Sequence, residues 1–143
     1  MGTILCATRG GPDSQPTQQR AIVLARERGD DLVFLFVVDT TFLNTVAAPL
    51  VVDVASQLHQ MGQFQLAMAR EQAAEQGIKA EIAIRRGPLR TELMRVAQEV
   101  RASLIVLGYP KGEEARFDEA DFQSFVSELT TKTGAEVVIV EPS

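Results

Sequence analysis

The feature that most constrains the fold is a set of three short apolar runs, rich in β-branched residues and well spaced along the chain. They cover residues 3–8, 32–38 and 103–107. Continuous apolar runs of this length are typical of strands buried on both faces, as in a parallel sheet. The three runs therefore predict the central strands of a sheet that is covered on both sides.

Two further segments predict strands of a different character. Residues 79–86 alternate charged and apolar side chains, as in Glu81, Ile82 and Arg85. This alternation indicates one partly solvated face and hence an edge position. Residues 136–140 are apolar after Glu136, and Pro142 ends the segment. The chain thus carries five predicted strands.

Four helical segments lie between the predicted strands. The first covers residues 16–28 and stops at Gly29, and the second covers residues 51–76 and stops at Gly77. A third follows Gly87 and Pro88, and proline suits the first helical turn. The fourth begins near Asp118 or Asp121, and either aspartate is a candidate for its N-cap. Apolar residues near a period of 3.6 predict the buried faces of the last three helices. For the second these are Val54, Leu58, Met61, Met68 and Ala69; for the third Leu89, Leu93, Met94, Val96, Ala97 and Val100; for the fourth Phe122, Phe125, Val126 and Leu129.

Strict alternation of five strands and four helices predicts a three-layer α/β/α sandwich around a five-stranded parallel sheet. A chain of 143 residues is the size of one ordinary domain, so we expect a single domain over residues 1–143. No internal repeat and no linker-like segment interrupts it.

Charge and composition exclude several classes of function. The net charge of −5 argues against a nucleic-acid partner and against an anionic membrane surface, because both require a basic face. Nothing approaches the roughly 20 apolar residues that span a bilayer, and the first residues enter a strand without a signal-peptide pattern. We therefore expect a cytoplasmic protein. Cys6 is the sole cysteine, which excludes intrachain disulfides and cysteine-based metal sites.

Three local sequences carry a resemblance to a known family. The first strand, Ile4-Leu5-Cys6-Ala7-Thr8, leads through a glycine-containing turn into a helix, and residues 29–38 join a helix-ending glycine to the second strand. Residues 87–108 run from Gly87-Pro88-Leu89 to the strand Leu104-Ile105-Val106-Leu107-Gly108. Together these segments resemble the universal stress protein family. The resemblance implies strand order 3-2-1-4-5, the adenine nucleotide alpha hydrolase-like topology.

The resemblance also implies a place for a nucleotide. In open α/β sheets a ligand binds at the carboxyl ends of the strands, beside the point where the strand order reverses. That point lies between the first and fourth strands of this chain. The residues implicated there are Thr8, Arg9 and Gly10, Val38 and Asp39, Gly108 and Gly112, and Gln123 and Ser124.

The phosphate-binding pattern of the family's ATP-binding branch is degenerate in this sequence. Arg9 stands where that branch has an acidic residue, although Asp13 is close enough in sequence to replace it. Gly112 follows Gly108 at a longer spacing, and Gln123 stands at a motif glycine with Ser124 at the hydroxyl position. Pro110 removes one amide donor. The acidic loop, residues 112–121, adds charge repulsion against a triphosphate.

Other conspicuous residues have simpler interpretations. Arg9 forms either an anion site or an internal pair with Glu113 or Glu114. A cluster of arginines around Gly87 marks either an anion or partner site or, more simply, a solvated strand edge; its members are Arg85, Arg86 and Arg90. His59 is expected at the surface and Cys6 buried and inert. The methionines at helical spacing are expected to fill the core.

The resemblance, together with the absence of a catalytic motif, implies a non-catalytic regulatory or stress-response domain without a required cofactor. A homodimer through the last strand is expected, because an edge strand that is apolar on both faces needs a cover; its residues are Val137, Val138, Ile139 and Val140. ATP binding is expected to be weak or absent, and a regulatory protein partner is expected without its identity. The alternatives are a sensor of ATP or AMP and an enzyme of the wider nucleotide-binding superfamily, for which only Arg9, Asp13, Asp39 and the acidic loop offer titratable groups.

Overall fold

The computed structural model describes residues 2–8, 15–38, 48–108 and 119–140. Within these ranges nine elements alternate along the chain. The strands are β1 (Thr3–Thr8), β2 (Asp31–Val38), β3 (Ala80–Arg86), β4 (Leu104–Gly108) and β5 (Glu136–Val140). The helices are α1 (Gln15–Arg28), α2 (Ala48–Glu75), α3 (Leu89–Glu99) and α4 (Glu119–Thr133).

The five strands form one parallel sheet in the order β3-β2-β1-β4-β5. Every strand lies within one residue of its predicted bounds, so the predicted topology and strand order are confirmed. β1 is central, with Ile4 opposite both Leu32 and Leu104. β3 and β5 are the edge strands. The charge alternation of β3 predicted its edge position, and the family resemblance predicted that of β5.

Helices cover both faces of the sheet and create two hydrophobic cores. Alternate β2 residues point to opposite faces, so Phe34 and Phe36 pack under α1 and α2, whereas Val33 and Leu35 pack with α3 and α4. α1 and α2 are also joined at their surface, where Gln19 Nε2 donates to Gln72 Oε1 at 2.8 Å. The continuous apolar sequence of β2 is explained by this burial on both sides.

Of the predicted face of α2, Ala69 is buried and Leu58 packs against the core, but most of the observed buried face differs. Small residues dominate it; its members are Ala55, Gly62, Leu66, Ala69 and Ala73. Met61 and Met68, which were expected in the core, are instead 39% and 41% exposed, so that expectation was wrong. The helix backbone lies so close to the sheet that a Cβ on Gly62 would be 2.5 Å from Cδ1 of Phe36. A methionine-rich face does not permit this approach.

Three helices are followed within two residues by a glycine in the left-handed region: Gly29, Gly77 and Gly134, with φ of 67°, 80° and 71°. After α3 the residue in this region is Arg101, two positions beyond Glu99, with φ of 54°. A side chain in this region is strained, whereas glycine adopts it freely.

The start of α4 also bears on the sequence predictions. The helix begins at Glu119, so Asp121 lies inside its first turn and is not the N-cap. Asp118, the other predicted N-cap, is outside the described residues.

Candidate functional site

The candidate site begins at the carboxyl ends of β1 and β4, where the strand order reverses. Ala7 is opposite Leu107 in the parallel ladder, so Thr8 and Gly108 follow as neighbours at the same edge of the sheet. Adjacent strands are about 4.8 Å apart. The structure therefore brings together the two strand ends that the sequence predicted.

The first turn of α1 packs against this edge through a residue that the sequence predictions omitted. Thr17 is only 3% exposed, and its backbone carbonyl accepts a hydrogen bond from Cys6 Sγ at 3.8 Å. A Cβ on Gly108 would lie 2.9 Å from Thr17 Oγ1. Thr17 precedes buried Ala21 by four residues, so the two lie on the same face of α1.

This contact gives Gly108 a packing role. Its position at the end of β4 matches the first glycine of the phosphate pattern, where glycine permits close approach of an anion. The same absence of a side chain is needed here for Thr17 to pack against the strand end. Glycine at this position therefore does not require a phosphate.

Val38 lies at the end of β2 on the neighbouring side of β1. Its side chain is 2% exposed and belongs to the core beneath α1 and α2. Its carbonyl accepts the Gly87 N–H at 3.0 Å. Gly87 in turn packs on Glu92, since a Cβ there would lie 3.0 Å from Glu92 Oε2. Val38 therefore offers no side chain to a ligand at this end of β2, and its carbonyl is already hydrogen-bonded.

Gln123 and Ser124 are the predicted phosphate-cradle residues on the β4–α4 side. Both are exposed, and they are the fifth and sixth residues of α4. Only the first four N–H groups of an α-helix lack an intrahelical acceptor. The N–H groups of Gln123 and Ser124 therefore belong to the helix ladder, and neither residue offers a free amide to a phosphate.

The remaining predicted site residues lie outside the described residues: Arg9, Gly10, Asp39 and Gly112. The same holds for Asp13, Pro110 and the acidic residues up to Asp118, whereas Glu119 and Asp121 lie in the first turn of α4.

Two arginines of the cluster near Gly87 have partners within the domain. Arg85 Nη2 contacts Glu99 Oε1 at 3.3 Å, and the Arg90 guanidinium lies 5.4 Å from the centre of the Phe125 ring. Arg86 is exposed at the end of the edge strand. These contacts favour the solvated-edge interpretation of the cluster.

The two other isolated residues are placed as the sequence predicted. His59 is exposed on α2, and Cys6 is completely buried in β1. Burial raises the pKa of the Cys6 thiol well above its ordinary value, so the reactive thiolate is suppressed. Among the described residues, no three His, Cys, Asp or Glu side chains are grouped to hold a metal ion. In the same part of the chain, every helix is too short or too polar to cross a membrane.

A surface groove of about 770 Å³ lies away from the candidate site. It runs between the C-terminal half of α2 and the start of β3, and Arg70, Glu71, Lys79 and Glu81 are among its lining residues. Two cationic and two anionic side chains line it. It is close to the amino end of β3, whereas the candidate site lies at the carboxyl ends of the strands.

Comparison with known proteins decides the family. The family model described as Universal stress protein family matches residues 1–140. This chain belongs to the universal stress protein family. The fold and the expected strand order are those that membership implies, and the match extends across every described element. None of the curated proteins compared with the chain matches it significantly.

Solved structures of universal stress proteins share the fold at low sequence identity. A family member from Burkholderia pseudomallei is 22% identical, with a TM-score of 0.72 over 99% of this chain and 96% of that chain. UspA from Lactobacillus plantarum is 18% identical, with a TM-score of 0.76 over 97% of both chains. A universal stress protein in complex with cAMP is 20% identical, with a TM-score of 0.70 over 99% of this chain and 98% of that chain.

Proposed function

We propose that this universal stress protein is a non-catalytic regulatory domain that acts as a homodimer and binds ATP weakly or not at all. Membership of the family supports a role in the stress response. The single observation that carries the proposal about ATP is the position of Gln123 and Ser124 inside α4. A phosphate cradle needs unpaired backbone N–H groups that converge on the anion, and these two residues lack them.

The energetic argument follows from the number of lost contacts. Each missing charge-assisted or backbone hydrogen bond costs about 1–3 kcal/mol. Two such losses of about 1.4 kcal/mol or more each weaken a 1 μM site at least about a hundredfold, to a dissociation constant of about 100 μM or above. Arg9 in place of an acidic residue and Pro110 in the first phosphate turn add further losses.

Titration calorimetry with ATP and Mg²⁺ tests this proposal. We expect a dissociation constant above about 100 μM, and binding tighter than about 10 μM contradicts the proposal. In that second case Arg9→Ala distinguishes two rebuilt sites. A sharp loss of binding identifies Arg9 as the phosphate anchor, and no loss points to the amides of Gly10 and Gly11.

The second candidate function is a sensor of a nucleotide with one phosphate. It is favoured by the similarity to a family member whose structure contains cAMP, a ligand that needs fewer phosphate contacts than ATP. Calorimetry with AMP and with cAMP, under the conditions used for ATP, tests it. Binding of either nucleotide at least tenfold tighter than ATP supports the sensor.

The proposed homodimer forms through β5. Val137, Val138, Ile139 and Val140 are only partly buried, and β4 is the single partner of β5 among the described strands. The outer backbone groups of an apolar edge strand promote aggregation unless another strand covers them. Antiparallel pairing with a two-fold-related copy covers them and closes the assembly.

Cysteine substitution along β5 tests this dimer, because native Cys6 is buried and does not interfere. We expect one of four single variants, Val137→Cys to Val140→Cys, to form an oxidised dimer efficiently at the two-fold axis. Glu81→Cys on the opposite edge is the matched control and stays monomeric on a non-reducing gel. A light-scattering mass of one chain at tens of micromolar contradicts the proposed dimer.

A further inference from the structure

α2 presents a second apolar face, on the side turned away from the sheet. Met61, Phe64 and Met68 are 39%, 68% and 41% exposed. Their spacing of three and four residues places them within an arc of about 60° on the helix surface. We call these three side chains the outer stripe. The buried residues Gly62 and Leu66 lie on the opposite side of the helix.

The outer stripe lies in the longest charge-free segment of the chain. Residues 54–69 contain no Asp, Glu, Lys or Arg, whereas such residues make up 23% of the sequence. Gln57 and Gln60, which are exposed beside Met61 and Phe64, carry uncharged amides, and the first acidic neighbour is Glu71, three residues after Met68. Depletion of charge around aromatic residues and methionine is the composition that distinguishes the centre of a protein–protein interface.

We propose that the outer stripe is a contact between two copies of this chain, with α2 crossing α2 at a two-fold axis near Phe64. The chain carries a net charge of −5, so most of its surface repels a second copy. The segment around Phe64 carries no Asp, Glu, Lys or Arg and therefore does not repel a second copy. The flanking charged residues in sequence are Asp53 and Arg70, which are about 16 Å and 9 Å from Phe64 along the helix axis.

The crossing geometry keeps like charges apart. Glu71 and Glu75 continue the direction of the stripe toward the C-terminus of α2, and both are exposed. In a parallel pair each of them would face its own copy, which is destabilising. Helices that cross at about 50° diverge within a few turns, and these carboxylates then point to solvent on opposite sides of the contact.

The size of the stripe sets the strength of the contact. Its three side chains expose roughly 300 Å² per copy, given that a fully exposed aromatic side chain contributes about 150–250 Å². A standard stable interface needs about 800 Å² per partner. The α2 contact is therefore in the size class of weak, transient associations. It adds a concentration-dependent association step to whatever assembly β5 forms.

Sedimentation velocity between about 10 μM and 500 μM, at a constant salt concentration, measures this step. We expect the weight-average mass of the wild type to rise toward twice its low-concentration value. Phe64→Gln removes the central anchor from both copies and is expected to weaken the association at least tenfold. Phe64→Leu retains an apolar side chain and is expected to keep most of the association.

A matched pair of charge variants separates the proposed face from a general effect of charge. Gln60 and Gln63 are both exposed on α2, but Gln60 borders the stripe whereas Gln63 lies toward the side of the helix. Gln60→Glu places like charges across the two-fold axis and abolishes the association, and Gln63→Glu preserves it. The proposal is overturned if the wild-type mass is constant over this range, or if the two variants behave alike. Far-ultraviolet circular dichroism verifies that each variant is folded.

Discussion

Gly62 provides a sharp test of how closely α2 packs on the sheet. In a solvated helix interior, replacing glycine by alanine stabilises by about 0.8–1 kcal/mol, because glycine loses more backbone entropy on folding. At Gly62 the new methyl group would lie 2.5 Å, 2.8 Å and 3.0 Å from three carbon atoms of the Phe36 ring. Phe36 is a β2 residue that is 2% exposed beneath α2, so its ring has little room to move.

The two effects have opposite signs, and their magnitudes decide the outcome. An overlap of about 1 Å with a buried ring belongs at the upper end of the cost of overpacking, about 2–3 kcal/mol. Subtracting the gain in helix propensity leaves a net destabilisation of about 1–2 kcal/mol for Gly62→Ala. In a domain of this size the melting temperature should fall by about 3–8 °C.

Urea denaturation at one fixed protein concentration measures this change, since self-association would otherwise alter the apparent stability. Ala67→Gly, at an exposed position of the same helix, calibrates the propensity term at a loss of about 1 kcal/mol. In a Phe36→Leu background the clash is relieved, and we expect Gly62→Ala to cost about 1–2 kcal/mol less there. A stabilising effect of Gly62→Ala in the wild-type background would refute the proposed close packing.

Three further predictions concern other parts of the chain. Arg101→Gly should raise the free energy of unfolding by about 0.5–1 kcal/mol in urea denaturation, because it removes the strain of a side chain in the left-handed region, where the other three helices have glycine. A loss of stability would contradict this account of the α3 terminus. Burial raises the pKa of the Cys6 thiol in the folded state above the unfolded-state pKa of 9.0. The contribution of the protonated thiol to stability is therefore complete below pH 9.0 and is lost as the pH rises above it, because the unfolded chain then releases a proton that the folded chain retains. The stability of the wild type relative to Cys6→Ala should therefore decrease by up to about 1.4 kcal/mol per pH unit above pH 9.0, and a constant difference between pH 8 and pH 10.5 would show that the thiol ionises freely in the folded state. Dilute hydrogen peroxide should oxidise Met61 and Met68 well before half-buried Met94, as followed by peptide mass spectrometry, and equal rates would contradict the exposure of α2 described above.

The sequence alone determined the elements and their alternation. Strands buried on both faces are apolar throughout, and an edge strand with one solvated face alternates polar and apolar side chains. The strands could therefore be recognised from local patterns. Glycine marked the ends of α1 and α2 because it adopts the left-handed conformation freely. The strand order followed from the family resemblance, since several topologies share the same alternation of strands and helices.

Tertiary structure decided which side of α2 faces the sheet. The helix has apolar residues on two faces, so hydrophobic periodicity does not distinguish them. Gly62 and the buried alanines let the backbone approach Phe36 closely, and this packing leaves Met61, Phe64 and Met68 outside. A sequence pattern records the polarity of a side chain but not the distance at which a helix will pack.

The candidate site shows the same division. The sequence located its two strand ends, because the carboxyl ends of adjacent parallel strands always meet at one edge of a sheet. It did not reveal that Thr17 packs against Gly108. Nor did it reveal that α4 begins before Gln123, so that the N–H groups of the predicted phosphate cradle are hydrogen-bonded within the helix. Both facts depend on where a helix starts and how it packs on the sheet. Contacts between segments that are distant in sequence determine these features, so no local sequence pattern encodes them.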